Sequence, residues 1–260
     1  MYCAGSYPAV LLSFVLTFPA FPQQTATVVR RDLQAVAILQ QSIAAMAQNV
    51  PSDSSATGTV TIVEGSSTDS GTTQILTRGA DQTAETITLG SGQRAVIYSN
   101  GDAKEISGNQ STNPPLEIIV IDQCPDFPLP LVVSLLNNAD EELRYIGQEV
   151  LDRASVQHIQ VSNSFASRPR LKKLAPFSVR DIWFDAKSGL PQKVAYSRRW
   201  GGGATPAIPI EVFFSNYTNV AGILYPFQIN KSGNGTPWQT ITIQRVAFNT
   251  GLADAQFQVE

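Results

Sequence analysis

Along most of the chain apolar and polar residues alternate at a period of two, the spacing of a strand with one buried face. One early stretch departs from it. Arg30–Gln48 (RRDLQAVAILQQSIAAMAQ) places Leu33, Val36, Leu39 or Gln40, Ile43 and Met46 at helical spacing, is rich in alanine and is stopped by Pro51. A helix is predicted there, with Asp32 in its first turn, where a negative charge suits the helix dipole. From Thr57 the period is two. Thr57–Glu64, Gln74–Arg78, Glu85–Leu89, Arg94–Ser99 and Ala103–Ile106 read as strands, and Asn100-Gly101 between the last two is a strong type I′ hairpin signal, since both central residues need positive φ.

Asn113-Pro114-Pro115 interrupts this meander. Leu116–Ile121 is an apolar run of either type, and Leu131–Asn137, behind Pro128 and Pro130, reads as a second helix with proline in its first turn. Strands then resume over Leu143–Leu151, Ser155–Ser162, Val179–Phe184, Pro191–Ser197, Ile210–Phe214, Ile223–Lys231 and Trp238–Phe248. The turns Asp185–Gly189 and Ser232–Gly235 join two more hairpins. In the last strand Ile241 and Ile243 share a phase while Val246 and Phe248 take the opposite one. A switch around Arg245 predicts a bulge or sharp bend. No repeat and no long Pro/Ser linker divides the chain. The order is helix, about five strands, a helical insertion, then about six more strands. A long antiparallel sheet of this kind must cover one face.

Charged residues make up 15% of the 260 residues, below the roughly 25% usual for soluble domains. A net charge of -3 gives no argument for a nucleic acid partner. Ala9–Phe18 (AVLLSFVLTF), followed by Pro19-Ala20 and Gln23-Gln24, has the length and flanks of a secretory leader. Residues 1–24 are therefore expected to be a signal peptide and 25–260 one exported domain, with no membrane-spanning helix in the mature chain. That leaves Cys124 alone, without a disulfide partner.

The chemistry-bearing residues are sparse. His158 is the sole histidine, out of phase with Ile159 and Val161 and so expected on the polar face. One histidine and one mature cysteine do not build a zinc site, and no cofactor is expected. Asp181 and Asp185 lie on one face of a strand but about 13 Å apart, too far for paired glycosidase carboxylates. Asp185 starts a turn. Asp140, Glu141 and Glu142 read as a solvated acidic run. Arg168, Arg170, Lys172, Lys173 and Arg180 form the densest basic stretch, a surface patch able to steer an anionic headgroup or an envelope protein partner. No catalytic constellation emerges, and the chain is read as non-enzymatic.

Four segments, in this order, resemble the LolA/LolB-like superfamily of bacterial envelope proteins. Arg94–Ile106 (RAVIYSNGDAKEI) resembles its strand–Asn-Gly–strand hairpin, and Tyr145–Val161 (YIGQEVLDRASVQHIQV) its Gly-x-Glu strand pair. Trp183–Ala195 (WFDAKSGLPQKVA) resembles its Asp-turn-Gly-Leu-Pro hairpin. Tyr217–Pro226 with Ile241–Phe257 resembles its closing hairpin, ending Asn-x-x-Leu-x-Asp-x-x-Phe. The likeness covers about Thr27–Phe257. It implies a mainly β (α+β) fold: a single strongly curved antiparallel sheet forming an open half-barrel, its concave face covered by the N-terminal helix and a helical insertion. It also implies a hydrophobic ligand, an acyl chain or lipidated group, in the half-barrel, and hence a lipid or lipoprotein carrier with a hydrophobic ligand or lipid-modified protein as partner. The alternative is a sensor or protein-interaction module with a dry core. The carriers bear Arg-Pro and then aromatics on an early strand, whereas Arg78 is followed here by Gly79 and Ala80.

Strand phase gives the inward-facing candidates for ligand contact: Val60, Ile62, Val96, Tyr98, Val194, Tyr196, Val212, Phe214, Tyr225, Phe227, Ile241 and Ile243, with Leu33, Leu39 and Ile43 from the helix.

Overall fold

The computed structural model describes residues 29–122, 126–199 and 206–259. The leader expected over residues 1–24, Cys124 and residues 200–205 fall outside them. Helix α1 spans Leu33–Met46. Six strands follow, β1 (Asp53–Glu64), β2 (Ser67–Arg78), β3 (Gln82–Leu89), β4 (Gly92–Ser99), β5 (Asp102–Ser107) and the short β6 (Gln110–Thr112). Helices α2 (Leu116–Asp122) and α3 (Pro128–Asn137) lead to β7 (Glu141–Leu151) and β8 (Ala154–Asn163). A 3-10 segment, Pro169–Phe177, precedes β9 (Arg180–Asp185), β10 (Pro191–Arg198), β11 (Ile208–Val220), β12 (Ile223–Gly233) and β13 (Thr236–Phe248).

All the strands form one antiparallel sheet in the order β6-β5-β4-β3-β2-β1-β13-β12-β11-β10-β9-β8-β7. The first meander runs outward from β1 to one edge. The α2–α3 segment carries the chain to the other edge, and the second meander runs back until β13 pairs with β1. The sheet is not closed, since β6 and β7 remain its two edges. Its curvature has a direct measure. Glu105 of β5 and Arg198 of β10 are separated in the sheet by β4, β3, β2, β1, β13, β12 and β11, roughly 38 Å if the sheet were flat. Their side chains nevertheless meet at 3.2 Å across the trough. This is the mainly β open half-barrel that the family likeness implies.

The turn chemistry accounts for the local geometry. Asn100 and Gly101 have φ of 53° and 95°, as the type I′ hairpin between β4 and β5 requires. The β13 phase switch is a bulge: Thr57 pairs with Arg245 but Gly58 with Ile243, leaving Gln244 as the extra residue. Gly58 permits it, because a Cβ there would lie 2.2 Å from the Thr242 carbonyl oxygen.

The core lies on the concave side, between the sheet and α1 and α3. Leu39, Met46, Leu129, Leu135, Ile182, Ile229 and Ile241 are fully or almost fully buried within it. The α1 stripe is rotated from the predicted one. Ala35, Ile38, Leu39, Ser42 and Met46 face inward, whereas Leu33 is 86% exposed. The small Ala35 and Ser42 let the helix backbone approach its neighbours closely. Asp32 is not in the first turn but immediately before it, where its carboxylate accepts from Arg30 and from the Tyr145 backbone N–H. The Arg30 hydrogen bond holds the Asp32 carboxyl below its ordinary range, with burial opposing.

The sheet's outer face has a smaller cluster. Leu76 and Ala84 pack against Phe257 of the closing motif, and the Arg78 guanidinium lies 5.0 Å over the Phe257 ring. Arg78 also donates to the Leu252 carbonyl at 2.9 Å and to Asp254 at 2.5 Å. Arg78 thus anchors the C-terminal tail to β2.

Candidate ligand-binding cleft

Pro114-Pro115 sets the start of α2: the Pro115 carbonyl accepts from the backbone N–H groups of Ile118 and Ile119. The apolar run Leu116–Ile121 resolves as helix, with Ile118, Ile119 and Ile121 buried. On α3, Pro128 and Pro130 occupy the first turn, where no backbone donor is lost. Its C-terminal carbonyls need partners, and Arg31 supplies them by donating to the Leu135, Leu136 and Asn138 oxygens.

Between α2, α3 and the 3-10 segment lies a cleft of about 630 Å³. Leu116, Ile119, Leu131, Val133 and Leu174 supply apolar lining, and Arg168, Asn138 and Asn163 polar groups. Ala80, Asp81, Asn100 and Gly101, from two hairpin tips of the first meander, form the opposite lip. Arg180 and Glu141 also line it, and both correct the sequence reading. Arg180 is 7% exposed and not part of the surface patch. Its guanidinium donates to the Val120 and Ile121 carbonyls at 2.6 and 3.4 Å, closing the C-terminal end of α2. Glu141 is 7% exposed and accepts from the Asn163 amide at 2.9 Å. Burial raises its pKa, and the nearby Arg180 charge opposes the rise. Asp140 is buried too, accepting from the backbone N–H and hydroxyl of Ser167. The acidic run reads as solvated only while its partners, more than twenty residues downstream, are out of view. Arg168, Arg170, Lys172 and Lys173 are exposed, as expected of a patch.

A second, small cavity of about 120 Å³ lies inside the trough where β3–β5 face β10–β12. Lys231 sits 3.4 Å from Glu85 and 2.8 Å from Asp126, and the Gln239 amide donates to Glu85 at 2.7 Å. Burial raises the Glu85 pKa; Lys231 opposes the rise and Asp126 adds to it. Sequence reasoning missed this cluster, whose members are polar positions on the face otherwise given to Val, Ile and Tyr.

Of the inward candidates, Val96, Tyr98, Tyr196 and Val212 line the small cavity. Val60, Ile62, Val194, Phe214, Tyr225, Ile241, Ile243 and Leu39 are buried in the main core, with Ile43 and Phe227 half-buried against it. Leu33 is the exception, pointing to solvent. No residue of α1 lines any of these spaces or a third cleft beside Phe177 and Ile210. Beneath the helices Phe127 stacks on Tyr225 at 4.6 Å between ring centres, and the Tyr225 hydroxyl is buried without a hydrogen-bond partner among the described residues.

His158 is a satisfied histidine. It faces outward, as its phase predicts, but is 9% exposed, stacked on Trp183 at 4.3 Å and held between Glu149 at 2.7 Å and Asp181 at 2.8 Å. Trp183 donates its indole N–H to Glu149, and this bond, followed by the one to His158, lowers the Glu149 pKa. Asp185 does start a turn, accepting from the Lys187 and Ser188 backbone N–H groups. Among the described residues no group of three or more His, Cys, Asp or Glu side chains is arranged to hold a metal ion, and no helix is long and apolar enough to cross a membrane.

Comparison with solved structures now bears on this arrangement. A LolA superfamily protein from Nitrosomonas europaea superposes with a TM-score of 0.58 at 12% identity, over 86% of this chain and 97% of the other. A putative outer membrane lipoprotein-sorting protein domain from Vibrio parahaemolyticus gives 0.59 at 13% identity, over 86% and 96%. The chain has the LolA-like fold. A DUF1329 family protein from Desulfovibrio piger gives 0.56 at 14% identity, over 87% and 96%. At these identities the LolA-like likeness is one of architecture. No protein-family model matches the chain, and no curated protein matches its sequence.

Proposed function

We propose that this is an exported, non-enzymatic protein of the cell envelope that binds a hydrophobic group, an acyl chain or lipidated segment, on its LolA-like half-barrel, and that the group enters the cleft between α2, α3 and the 3-10 segment. The observation that carries this reading is the cleft itself: about 630 Å³, with Leu116, Ile119, Leu131, Val133 and Leu174 along it. Burying acyl methylenes against such side chains is worth about 0.8 kcal/mol each. The signal peptide over residues 1–24, the envelope location and the single domain over 25–260 are parts of the same proposal. The inward residues of β1, β10–β13 and α1 then serve mainly as the packed wall behind the cleft.

The test is uptake of a fluorescent fatty acid by the mature chain, with native mass spectrometry after gentle purification. Uptake is expected, and Val133→Trp, which fills the cleft from a half-buried position, should reduce it at least tenfold. A protein that is always empty and takes up no probe sinks the proposal.

A second reading, an interaction module with a dry core, is favoured by one observation: Phe127, Tyr225 and Met46 are fully buried in one cluster on the concave side, with Phe127 stacked on Tyr225. It expects no probe uptake, together with capture of an envelope protein in crosslinked cells that charge reversal at Arg170 and Lys172 abolishes.

A further inference from the structure

From Ser164 to Arg180 the chain carries five basic residues and no acidic one, in a protein of net charge -3. The fold sorts these five. Arg180 turns inward to close α2, and Arg168, Arg170, Lys172 and Lys173 stay exposed on one short 3-10 stretch. That stretch is held rigidly. Leu174 is buried beneath it, Ser178 accepts from the Asn163 backbone N–H at 2.8 Å, and Arg168 lies 5.5 Å over the Phe165 ring. The four cations are therefore carried on, or immediately before, a segment packed against the body of the molecule. Acidic residues lie across the cleft. Asp81, on the lip opposite Arg168, and Asp102, beside the Asn100-Gly101 tip, are both exposed. Basic Arg168, acidic Asp81 and Leu116, which is 46% exposed, all line the cleft.

From this arrangement we infer that the 3-10 segment is a docking surface for an anionic lipid bilayer. The cations meet the headgroups, and the acidic hairpin tips point away. Four adjacent cations and no acid suit a surface of many diffuse negative charges. Each cation close to an anionic membrane contributes about a factor of five in affinity. The four together therefore supply between two and three orders of magnitude before the loss of freedom on docking is counted. The attraction acts over a Debye length, roughly 30 Å at 0.01 M salt and about 3 Å at 1 M. Docking in this orientation brings the basic lip of the cleft, and not the acidic one, to the membrane surface. It does not depend on the cleft being filled, so its failure and that of the acyl-binding proposal are separable.

The experiment is co-sedimentation of the mature chain with phosphatidylcholine vesicles and with phosphatidylcholine–phosphatidylglycerol vesicles, at low and at high salt. At low salt, affinity for the anionic vesicles is expected to exceed that for the neutral ones at least tenfold, and 1 M salt should abolish the difference. The variant Arg168→Gln, Arg170→Gln, Lys172→Gln, Lys173→Gln should lose the preference while keeping the circular dichroism spectrum of the natural chain. Arg168→Lys with Arg170→Lys should keep it, since charge rather than guanidinium geometry is used. Equal binding to both vesicle types, no binding to either, or a preference that survives neutralisation of all four residues overturns the inference. Loss of fatty acid uptake with vesicle binding intact would overturn the acyl-binding proposal alone.

Discussion

Beneath α1 and α3 the trough is lined with hydrocarbon, whereas between β3–β5 and β10–β12 it is crossed by acidic and basic side chains. Both regions lie on the same concave face of the same sheet. In the first, Phe127, Tyr225, Met46 and Leu39 are fully buried in one cluster, with Phe127 stacked on Tyr225. In the second, Glu85, Asp126 and Lys231, with Glu105 and Arg198, link strands that the sheet order sets far apart. The difference teaches how an open half-barrel holds its curvature. Helices fill one region and keep the walls apart by packing. In the other, where Ile119 of α2 packs on Tyr98 and Ala103, long side chains also reach across and tie the walls together.

Three experiments break or sharpen this contrast. Phe127→Ala should have the largest effect, because it removes a fully buried ring from the stack on Tyr225: a loss of about 3–5 kcal/mol, read by denaturant unfolding. If the loss is below about 1 kcal/mol, the helix-covered region is not the close-packed one.

Lys231→Met should cost about 3 kcal/mol, the lower part of the range for breaking a buried pair, since it takes the cation from both Asp126 and Glu85 while Glu85 keeps its Gln239 hydrogen bond. Adding Glu85→Gln should restore part of the loss, whereas adding Phe127→Ala should simply add to it. Full additivity of the Lys231 and Glu85 changes would show that the two side chains do not interact.

The smallest effect is one of pH, and its sign distinguishes two carboxylates. Asp53 on β1 accepts from the Thr250 and Gly251 backbone N–H groups and from the Thr250 hydroxyl. Burial works to raise its pKa, but these bonds outweigh burial and the pKa is lowered. Its contribution is therefore present above the ordinary aspartate value of about 3.9 and lost as pH falls through the depressed folded value. Glu85 is raised, so its contribution is complete below the ordinary glutamate value of about 4.3 and lost as pH rises through the elevated folded value. In thermal melts, Asp53→Asn should cost most near neutrality and progressively less below about pH 4. The stability of Glu85→Gln relative to the natural chain should instead increase as pH rises above about 4. Parallel pH profiles for the two variants would contradict the assignment.

Much of the fold was legible because its signals are local. The Asn100-Gly101 hairpin, the Asp185 turn and the Gln244 bulge each follow from a few adjacent residues: a dipeptide that tolerates positive φ, a carboxylate placed to accept from the next backbone N–H groups, a change of phase along one strand. The α1 stripe was half legible. Periodicity gave a helix, but hydrophobicity alone favoured Leu33 over Ala35 and Ser42, which face inward because a close approach needs small side chains. The candidate cleft was hardly legible at all. Leu116–Ile121 fits either a strand or a helix, and Leu174 counted only as part of a basic loop.

By itself the sequence determined the strand and helix order, the principal turns, the bend near Arg245 and the basic run on one short segment, since each is written in neighbouring residues. Tertiary structure alone decided which charges are buried. Arg180 and Arg168 belong to the same run, yet one caps the carbonyls of α2 and the other stays exposed at the cleft. Glu85 finds its cation on β12, far along the chain. Burial of a charge depends on partners that only the curled sheet brings within reach, and no local pattern encodes that distance.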